Sequence, residues 1–545
     1  MTRRPRRAPS PETAVDDDTH LLLHADVLIL GGGPAATWAA IAATERGAAV
    51  VLADKGYCGS SGVAATAGVG HWLVPPDPAR RDQEITLRER RGGYLTDRLW
   101  TDAVLDEAWE RTALLPEWGM DTAPSSSAGG RTLLGRAPDY LRFLCGRVKK
   151  GGATILDHSP ALELLVTADG AVAGARGHQR QRGRDWVVTA GAVVLATGGT
   201  TWKSHSLGGD VNTGDGHLMA AEVGAHLSSM EFSNFYGMVP LGTSMDKNGF
   251  FIDAEYWDHT GTPIPYRDLH ESRAELLAAS LRGTITARFT APPERREAMR
   301  LAMPNFFMVT DKLGVDPFRD RFPIDWVQEG TVRGTGGLHV LDRSGTVGVP
   351  GLYAAGDVAA RDRIVGSATG AGGPNLAWAV ATGTWAGRSA AAASGERRAR
   401  PSDLAPAGTV GTRGARPVDW SAVVSTTQRS TLPVDRAGFR DAAGLAAAAR
   451  ELDDLWTHVS DGAPGAGRDA VRAREAGAML AMARWSVHTA AHRTETRGMH
   501  TRTDHPDTDS AQTHRLLAGG LDDVWVHPDP ELPVTGTRDY AEAAS

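Results

Sequence analysis

Residues 26–36 read Asp26-Val-Leu-Ile-Leu30-Gly31-Gly-Gly-Pro-Ala-Ala36. The apolar run is that of a strand buried on both faces, the form strands take in parallel sheets. Glycine at 31 permits a tight turn, and glycine at 33 lets the backbone approach a pyrophosphate. Ala36 keeps the following helix close to its strand. That helix runs through alanine-rich sequence to about Arg46, where Gly47 ends it. Ala48–Ala53 reads as a second strand, closed by Asp54, twenty-three residues after Gly31. An acidic residue in that place accepts hydrogen bonds from a ribose. Strand, turn, helix and strand together predict an α/β, Rossmann-like dinucleotide-binding domain, with a helix N-terminus facing the phosphates.

Two later segments return to the same style. Ala192–Ala196 is an apolar strand ending in Thr197-Gly198-Gly199, and Gly351–Gly356 is another, followed by Asp357. One nucleotide is thus approached by segments more than three hundred residues apart. That suits a large, tightly held flavin dinucleotide better than a nicotinamide one. Asp357 is placed to accept from ribityl or ribose hydroxyls. Gly372-Gly-Pro-Asn-Leu-Ala-Trp378 opens a helix, with Pro374 in its first turn. Its N-terminus, at Asn375 and Leu376, would face the N1/C2 edge of a flavin and favour the negative charge of the reduced ring.

The chain has 545 residues, 41% hydrophobic and 23% charged, with a formal net charge of −7. That is enough chain for several folding units with a large core. It is not the basic surface of a nucleic-acid binder. Two cysteines, Cys58 and Cys145, exclude a disulfide scaffold. They also cannot supply the four thiolates of an iron–sulfur cluster, and no metal ligand is assigned. No apolar run is long enough for a membrane span. Residues 1–23, with arginines at 3, 4, 6 and 7 and aspartates at 16–18, read as a disordered tail. The apolar stretch behind them runs into the nucleotide-binding strand, not into a cleavage site, so a cytoplasmic protein is expected. The first domain is read over 24–235 and resumes over 345–395. An inserted domain rich in aromatics and prolines occupies 236–344. A linker rich in Arg, Pro and Gly covers 396–419, a helical domain 420–505 and a C-terminal extension 506–545.

Several strings carry a family resemblance. They are Asn212-Thr-Gly-Asp-Gly216, Met219-Ala-Ala, Gly224-Ala-His-Leu-Ser-Ser-Met-Glu-Phe232 and Arg493-Thr-Glu-Thr-Arg497-Gly-Met-His500-Thr-Arg502-Thr-Asp504-His-Pro506. With the order of the glycine motifs, they resemble the flavoprotein family of succinate dehydrogenase, fumarate reductase and L-aspartate oxidase over roughly residues 25–506. The resemblance implies FAD as cofactor, an inserted α+β capping domain that moves over the flavin, and a C-terminal helical domain. It also implies that Lys55, Ala161 and Asp215 join the cofactor contacts. Ser60-Ser61-Gly62 matches the family's flavin loop, and Gly62 stands where covalently flavinylated members carry a histidine, so FAD is expected to be held non-covalently. Arg497, His500 and Arg502 are expected to hold the helical domain against the flavin domain.

The carboxylate-binding positions depart from the family. Tyr236 stands at the histidine of its MEFxxFHPTG segment, Val332 at the histidine of HYxxGG, and Gly370 at the arginine of HGANR. Each change removes a group that clamps or polarises a carboxylate, so succinate, fumarate and aspartate are not the expected substrates. Four catalytic candidates remain. Tyr236 either gives a proton or hydrogen bond to substrate or is a core tyrosine. Arg288, with Arg282 as alternative, lies where the family's proton-shuttling arginine falls, or is a surface residue. His339 lies beside the return from the insert. Arg363, like Arg361, follows Asp357. The loop from Cys58 to Trp72-Leu-Val-Pro-Pro76 also resembles that of 3-ketosteroid dehydrogenases, which act on apolar rings. The expected activity is hydride transfer between flavin N5 and a small organic substrate at a C–C or C–N bond. The alternative is the flavin subunit of a complex that passes electrons to a separate ferredoxin or iron–sulfur partner.

Overall fold

The structure is a computed structural model describing residues 8–121, 135–247, 249–268, 271–370, 372–395, 399–533 and 535–536. The continuous apolar segments form the middle of a parallel sheet. His20–Leu30 lies between Val50–Ala53 and Arg184–Leu195, parallel to both. Thr154–Leu156 extends the sheet on one side, and Leu352–Ala354 runs parallel to the second half of Arg184–Leu195 on the other. The first half of that long strand, still paired with His20–Leu30 on one edge, carries an antiparallel meander of Val172–Gln179 and Ala161–Val166 on the other. The α/β class and the Rossmann-like core are therefore as expected.

Helix Pro34–Glu45 packs against helix Gly373–Ser394 at backbone distance. A Cβ at Gly383 would lie 2.4 Å from the carbonyl oxygen of Ala35, and one at Gly387 would lie 2.2 Å from that of Ala39. Two glycines one turn apart thus let the helices touch. Their N-termini, at Gly33 and Gly372, open on the same cleft.

The expected disordered tail is structured where it is described, since Glu12–Asp16 pairs antiparallel with the strand that starts at His20. Arg184 anchors it through Asp16 at 2.6 Å. A charged, exposed edge strand carries no apolar run to announce it; residues 1–7 lie outside the described residues. The 396–419 segment is likewise bound to the base where described. Ala405–Pro406 adds an edge strand, and the backbones of Gly408 and Thr409 donate to Glu163 and Glu222.

The insert is a five-stranded antiparallel sheet in the order Phe235–Pro240, Phe322–Glu329, Thr286–Phe289, Ala254–Trp257 and Pro263–Ile264. Its core is rich in phenylalanine, among them Phe251, Phe289, Phe306 and Phe322. It ends near Arg333 and not at 344, because Gly337–Leu338 already pairs with Leu227–Ser228 of the base. Cβ atoms at Gly336 and Gly337 would collide with Met230 and Ala360.

Helices Trp420–Thr431, Ala442–Val459 and Arg468–His492 form the helical domain. A buried ion network joins it to the rest. Arg493 bonds Glu231 and Glu495, each at 2.8 Å, and Arg497 bonds Glu495 at 2.6 Å. Arg497 also donates to the carbonyl of Gly93, and His500 meets Arg440 at 2.6 Å. Arg493→Met leaves the buried Glu231 carboxylate without its ion-pair partner and is expected to cost about 3–5 kcal/mol in chemical denaturation.

The C-terminal extension is part of the base. Leu516–Gly519 pairs with Leu227–Ser228, and Trp525–Pro528 pairs back on it. Among the described residues no helix is long and apolar enough to cross a membrane.

Candidate active site

The carboxyl ends of the parallel strands open into a cleft enclosing about 1460 Å³, its solvent mouth included. This is where open α/β sheets take their ligands. Gly31 has φ 125°, and a Cβ there would sit 2.1 Å from the carbonyl oxygen of Ala196. At Gly33 nothing lies within 4 Å of a Cβ, so the backbone faces open space. The helix that begins with Pro34 has no side-chain cap, and its first N–H groups remain for an anion such as a pyrophosphate. Helix Gly373–Ser394 is likewise uncapped, and Gly372, Asn375 and Leu376 line the cleft.

Asp54 ends the strand Val50–Ala53. Its Oδ2 accepts from Ser61 Oγ at 2.9 Å and its Oδ1 from the Gly56 N–H at 3.2 Å. Burial raises its pKa in spite of these bonds. A Cβ at Gly32 would fall 2.3 Å from Asp54 Oδ2; the middle glycine is therefore also required, which the fingerprint alone does not say. Lys55 lines the cleft but its ammonium is engaged, by Thr213 at 2.8 Å, Asp215 at 2.7 Å and Glu475 at 2.8 Å. Burial works against that charge, and the two carboxylates overcome it and raise the pKa. Asp357 accepts from Arg361 at 2.5 Å, and burial raises its pKa.

Three buried polar atoms on the walls have no partner among the described residues: Thr197 Oγ1, Asn212 Oδ1 and Asn375 Oδ1. Each orphan costs about 1–3 kcal/mol. A ligand with hydroxyl and N–H groups, such as FAD, satisfies them. The glycine floor, two bare helix N-termini, the acid at the ribose position and these orphans all fit that cofactor. Every sequence-derived cofactor contact lines the cleft except Ala36, buried beneath the turn, and Ser60, which points to solvent. Among the described residues no group of three or more His, Cys, Asp or Glu could hold a metal ion.

None of the four catalytic candidates lines the cleft. Arg288 pairs with Glu255 at 2.7 Å and is 39% exposed. Its strand neighbours Ala287 and Phe289 take the inward positions. Tyr236 is buried between cap and helical domain, and its hydroxyl donates to the carbonyls of Leu432 at 3.0 Å and Pro433 at 3.2 Å. Burial raises its pKa. Tyr236→Phe is expected to cost about 0.5–1.5 kcal/mol of stability and to leave the kinetics of flavin reduction unchanged. Denaturant melts and stopped-flow absorbance check the two halves. His339 packs near Asp362, Arg363, Asp529 and Arg515, and burial lowers its pKa. Arg363 lies 4.8 Å from the Trp100 ring and bonds Glu531 at 2.7 Å. Arg361 donates to Asp357 and to the carbonyls of Thr331 and Val332. Arg282 bonds its own helix, at the Ala278 carbonyl.

The cap contributes Lys247 and Arg333 to the cleft instead. Lys247 is 2% exposed and donates to Ser206 Oγ at 2.8 Å, to Asp246 at 2.6 Å and to Glu329. Glu329 is fully buried, and its Oε1 has no partner among the described residues. Burial raises its pKa, although Lys247 and Arg333 oppose the shift. Arg333 lies 3.6 Å from the same carboxylate. Gly237 makes room for this cluster, since a Cβ there would be 2.4 Å from Glu329 Oε1. The Asn375 amide donates to the Val332 carbonyl at 3.2 Å, which ties the segment carrying Arg333 to the second helix N-terminus.

A parallel sheet with a glycine-turned helix, a cleft built for FAD and a cap that brings cations to its wall define an FAD-dependent oxidoreductase. Residues 26–254 match the family profile described as FAD binding domain, and 430–522 match the one described as fumarate reductase flavoprotein C-term. The chain is 28% identical over 563 residues to L-aspartate oxidase of Streptomyces coelicolor, covering 94% of this chain and 93% of that one. It is 25% identical over 588 residues to a fumarate reductase flavoprotein subunit of Mycobacterium tuberculosis, covering 94% and 97%. Among solved structures, a mutated FrdA of E. coli quinol fumarate reductase has a TM-score of 0.77 at 20% identity, covering 94% of this chain and 97% of that one. Mycobacterium smegmatis Sdh1 has a TM-score of 0.77 at 22% identity, covering 96% and 97%. The chain is an FAD-dependent oxidoreductase related over most of its length to the flavoproteins of L-aspartate oxidase and fumarate reductase, and its cofactor is FAD.

Proposed function

We propose that the enzyme exchanges a hydride with a small organic carboxylate, at a C–C or C–N bond, where cap and cleft meet. Lys247 and Arg333 on the cleft wall are the observation that carries this. Bound FAD supplies the hydride acceptor or donor at N5. Among the described residues, the ion pair of Arg333 is a single long one, to Glu329, which leaves guanidinium donors for a substrate carboxylate. Lys247 delivers or takes a proton at Nζ, and Glu329, whose raised pKa lets it hold one, exchanges it with Lys247. Tyr236, Val332 and Gly370 supply no second carboxylate clamp, so the favoured substrate has one carboxylate and a less polar body.

The test is anaerobic mixing of the FAD-loaded protein with a panel of mono- and dicarboxylates, following the flavin absorbance. One carboxylate is expected to bleach oxidised flavin or reoxidise reduced flavin. Arg333→Ala is expected to raise its KM about 10–150-fold, the worth of a charge-assisted hydrogen bond. A response to uncharged substrates alone sinks the proposal.

A second reading, favoured by the relative named a flavoprotein subunit, passes the electrons to a separate ferredoxin or iron–sulfur protein. Photoreduced enzyme mixed with air separates the two. Reoxidation within seconds, with stoichiometric hydrogen peroxide, marks a self-contained oxidase. Reduced flavin that survives many minutes points to the electron-transfer partner.

A further inference from the structure

The chain's two cysteines are 87 residues apart, yet the fold brings them together. Cys58 lies in the turn that follows Asp54, and Cys145 lies on helix Ala137–Gly151. Both are buried, at 1% and 6% exposure. The turn rests directly on the helix. A Cβ at Gly59, next to Cys58, would be 3.1 Å from Cys145 Cβ and 3.2 Å from the Leu141 carbonyl oxygen. The Cys58 backbone N–H is held by Asp157 Oδ1 at 2.8 Å, which keeps the turn in place. Both side chains lie in one buried cluster, and each thiol acts on the other, raising the pKa of Cys58 and lowering that of Cys145, with burial opposing the second shift and Lys149 assisting it.

We propose that Cys58 and Cys145 form an intrachain disulfide when the FAD-loaded enzyme meets hydrogen peroxide, and that the cross-link clamps the cofactor turn onto helix Ala137–Gly151. The Cys145 thiolate attacks one peroxide oxygen, the O–O bond breaks, and hydroxide leaves to become water with the thiol's proton. The resulting sulfenic acid is attacked by the Cys58 sulfur. The S–S bond forms, the S–O bond breaks, and a second water leaves. Two thiols and one peroxide give one disulfide and two waters. A thiol favoured as thiolate, beside a second thiol, is the pairing this chemistry requires. Its reach to function is short, because Ser61 and Gly62 of the turn and Tyr140 and Leu141 of the helix line the cofactor cleft.

The test uses wild-type, FAD-loaded protein. It is treated with hydrogen peroxide, quenched with catalase, alkylated under denaturing conditions, digested and weighed. The expected product is one peptide pair joined through Cys58 and Cys145, lighter by two hydrogens and released by dithiothreitol. Cys145→Ser is expected to give no such pair. FAD release, followed by its fluorescence after dilution, is expected to slow several-fold in the oxidised protein and to recover on reduction. Two freely alkylated thiols, or separate sulfinic acids at the two positions, overturn the pairing. A cross-link that leaves FAD release unchanged overturns the clamp.

Discussion

Glu329→Gln is expected to lose about 10²–10⁴-fold in the rate of flavin reduction or reoxidation while keeping its full content of FAD. Glu329 is buried between Lys247 and Arg333, with one carboxylate oxygen unpartnered. Glutamine keeps the shape and accepts the Lys247 bond, but it cannot carry a proton. Burial raises the Glu329 pKa above the usual carboxylate value. In the direction that consumes a proton the wild-type rate falls as pH climbs through that raised pKa. The variant lacks that limb. Wild-type stability falls in the same direction. A raised carboxyl pKa means the folded state binds the proton more tightly than the unfolded one. The resulting penalty is absent below the unfolded pKa, grows as pH rises, and is complete above the folded pKa. The variant therefore gains stability relative to wild type with rising pH. Stopped-flow traces and denaturant melts over a pH series check both, and an unchanged rate removes Glu329 from the mechanism.

Gly31→Val is expected to purify without flavin and to refuse added FAD. A side chain at φ 125° is strained, and its Cβ would lie 2.1 Å from the Ala196 carbonyl oxygen, a backbone atom with little freedom to move. Strain of about 2–3 kcal/mol at the turn alone weakens binding about 30–150-fold, and the collision adds to it. The ratio of flavin to protein absorbance, with titration of FAD followed by fluorescence quenching, measures this. Wild-type occupancy would mean that the turn is not what seats the pyrophosphate.

The cofactor half of the site was legible because its rules are backbone rules. Gly31, Gly33, Thr197-Gly198 and Gly356-Asp357 stand where chain must turn or approach a ligand, and such needs show in sequence. The proposed catalytic half was not. Lys247 sits in a loop without periodicity, and Arg333 lies one residue beyond Val332, the position compared with the family's histidine. One misplacement was avoidable. Thr286-Ala-Arg-Phe289 alternates, so with Ala287 and Phe289 inward, Arg288 faces out. Nothing local announced the engagement of Arg363, because its partner Glu531 lies 168 residues on. The edge strand Glu12–Asp16 was hidden for another reason, as its charged side chains read as solvated chain.

The strand Leu516–Gly519 is laid against Leu227–Ser228, which sets an order for biogenesis. The first phosphate-binding turn leaves the ribosome early, but Asn375 follows it by more than three hundred residues and Leu516 by nearly five hundred. At about 5–20 residues per second, the nascent polypeptide waits about half a minute to a minute and a half for the pieces that complete its base. A complete flavin cleft therefore waits until Ala379, the last residue on its wall, has emerged. A message truncated before codon 516 yields a protein that leaves the strand edge at Leu227–Ser228 open and the Arg363 charge without Glu531, a natural substrate for quality-control proteolysis.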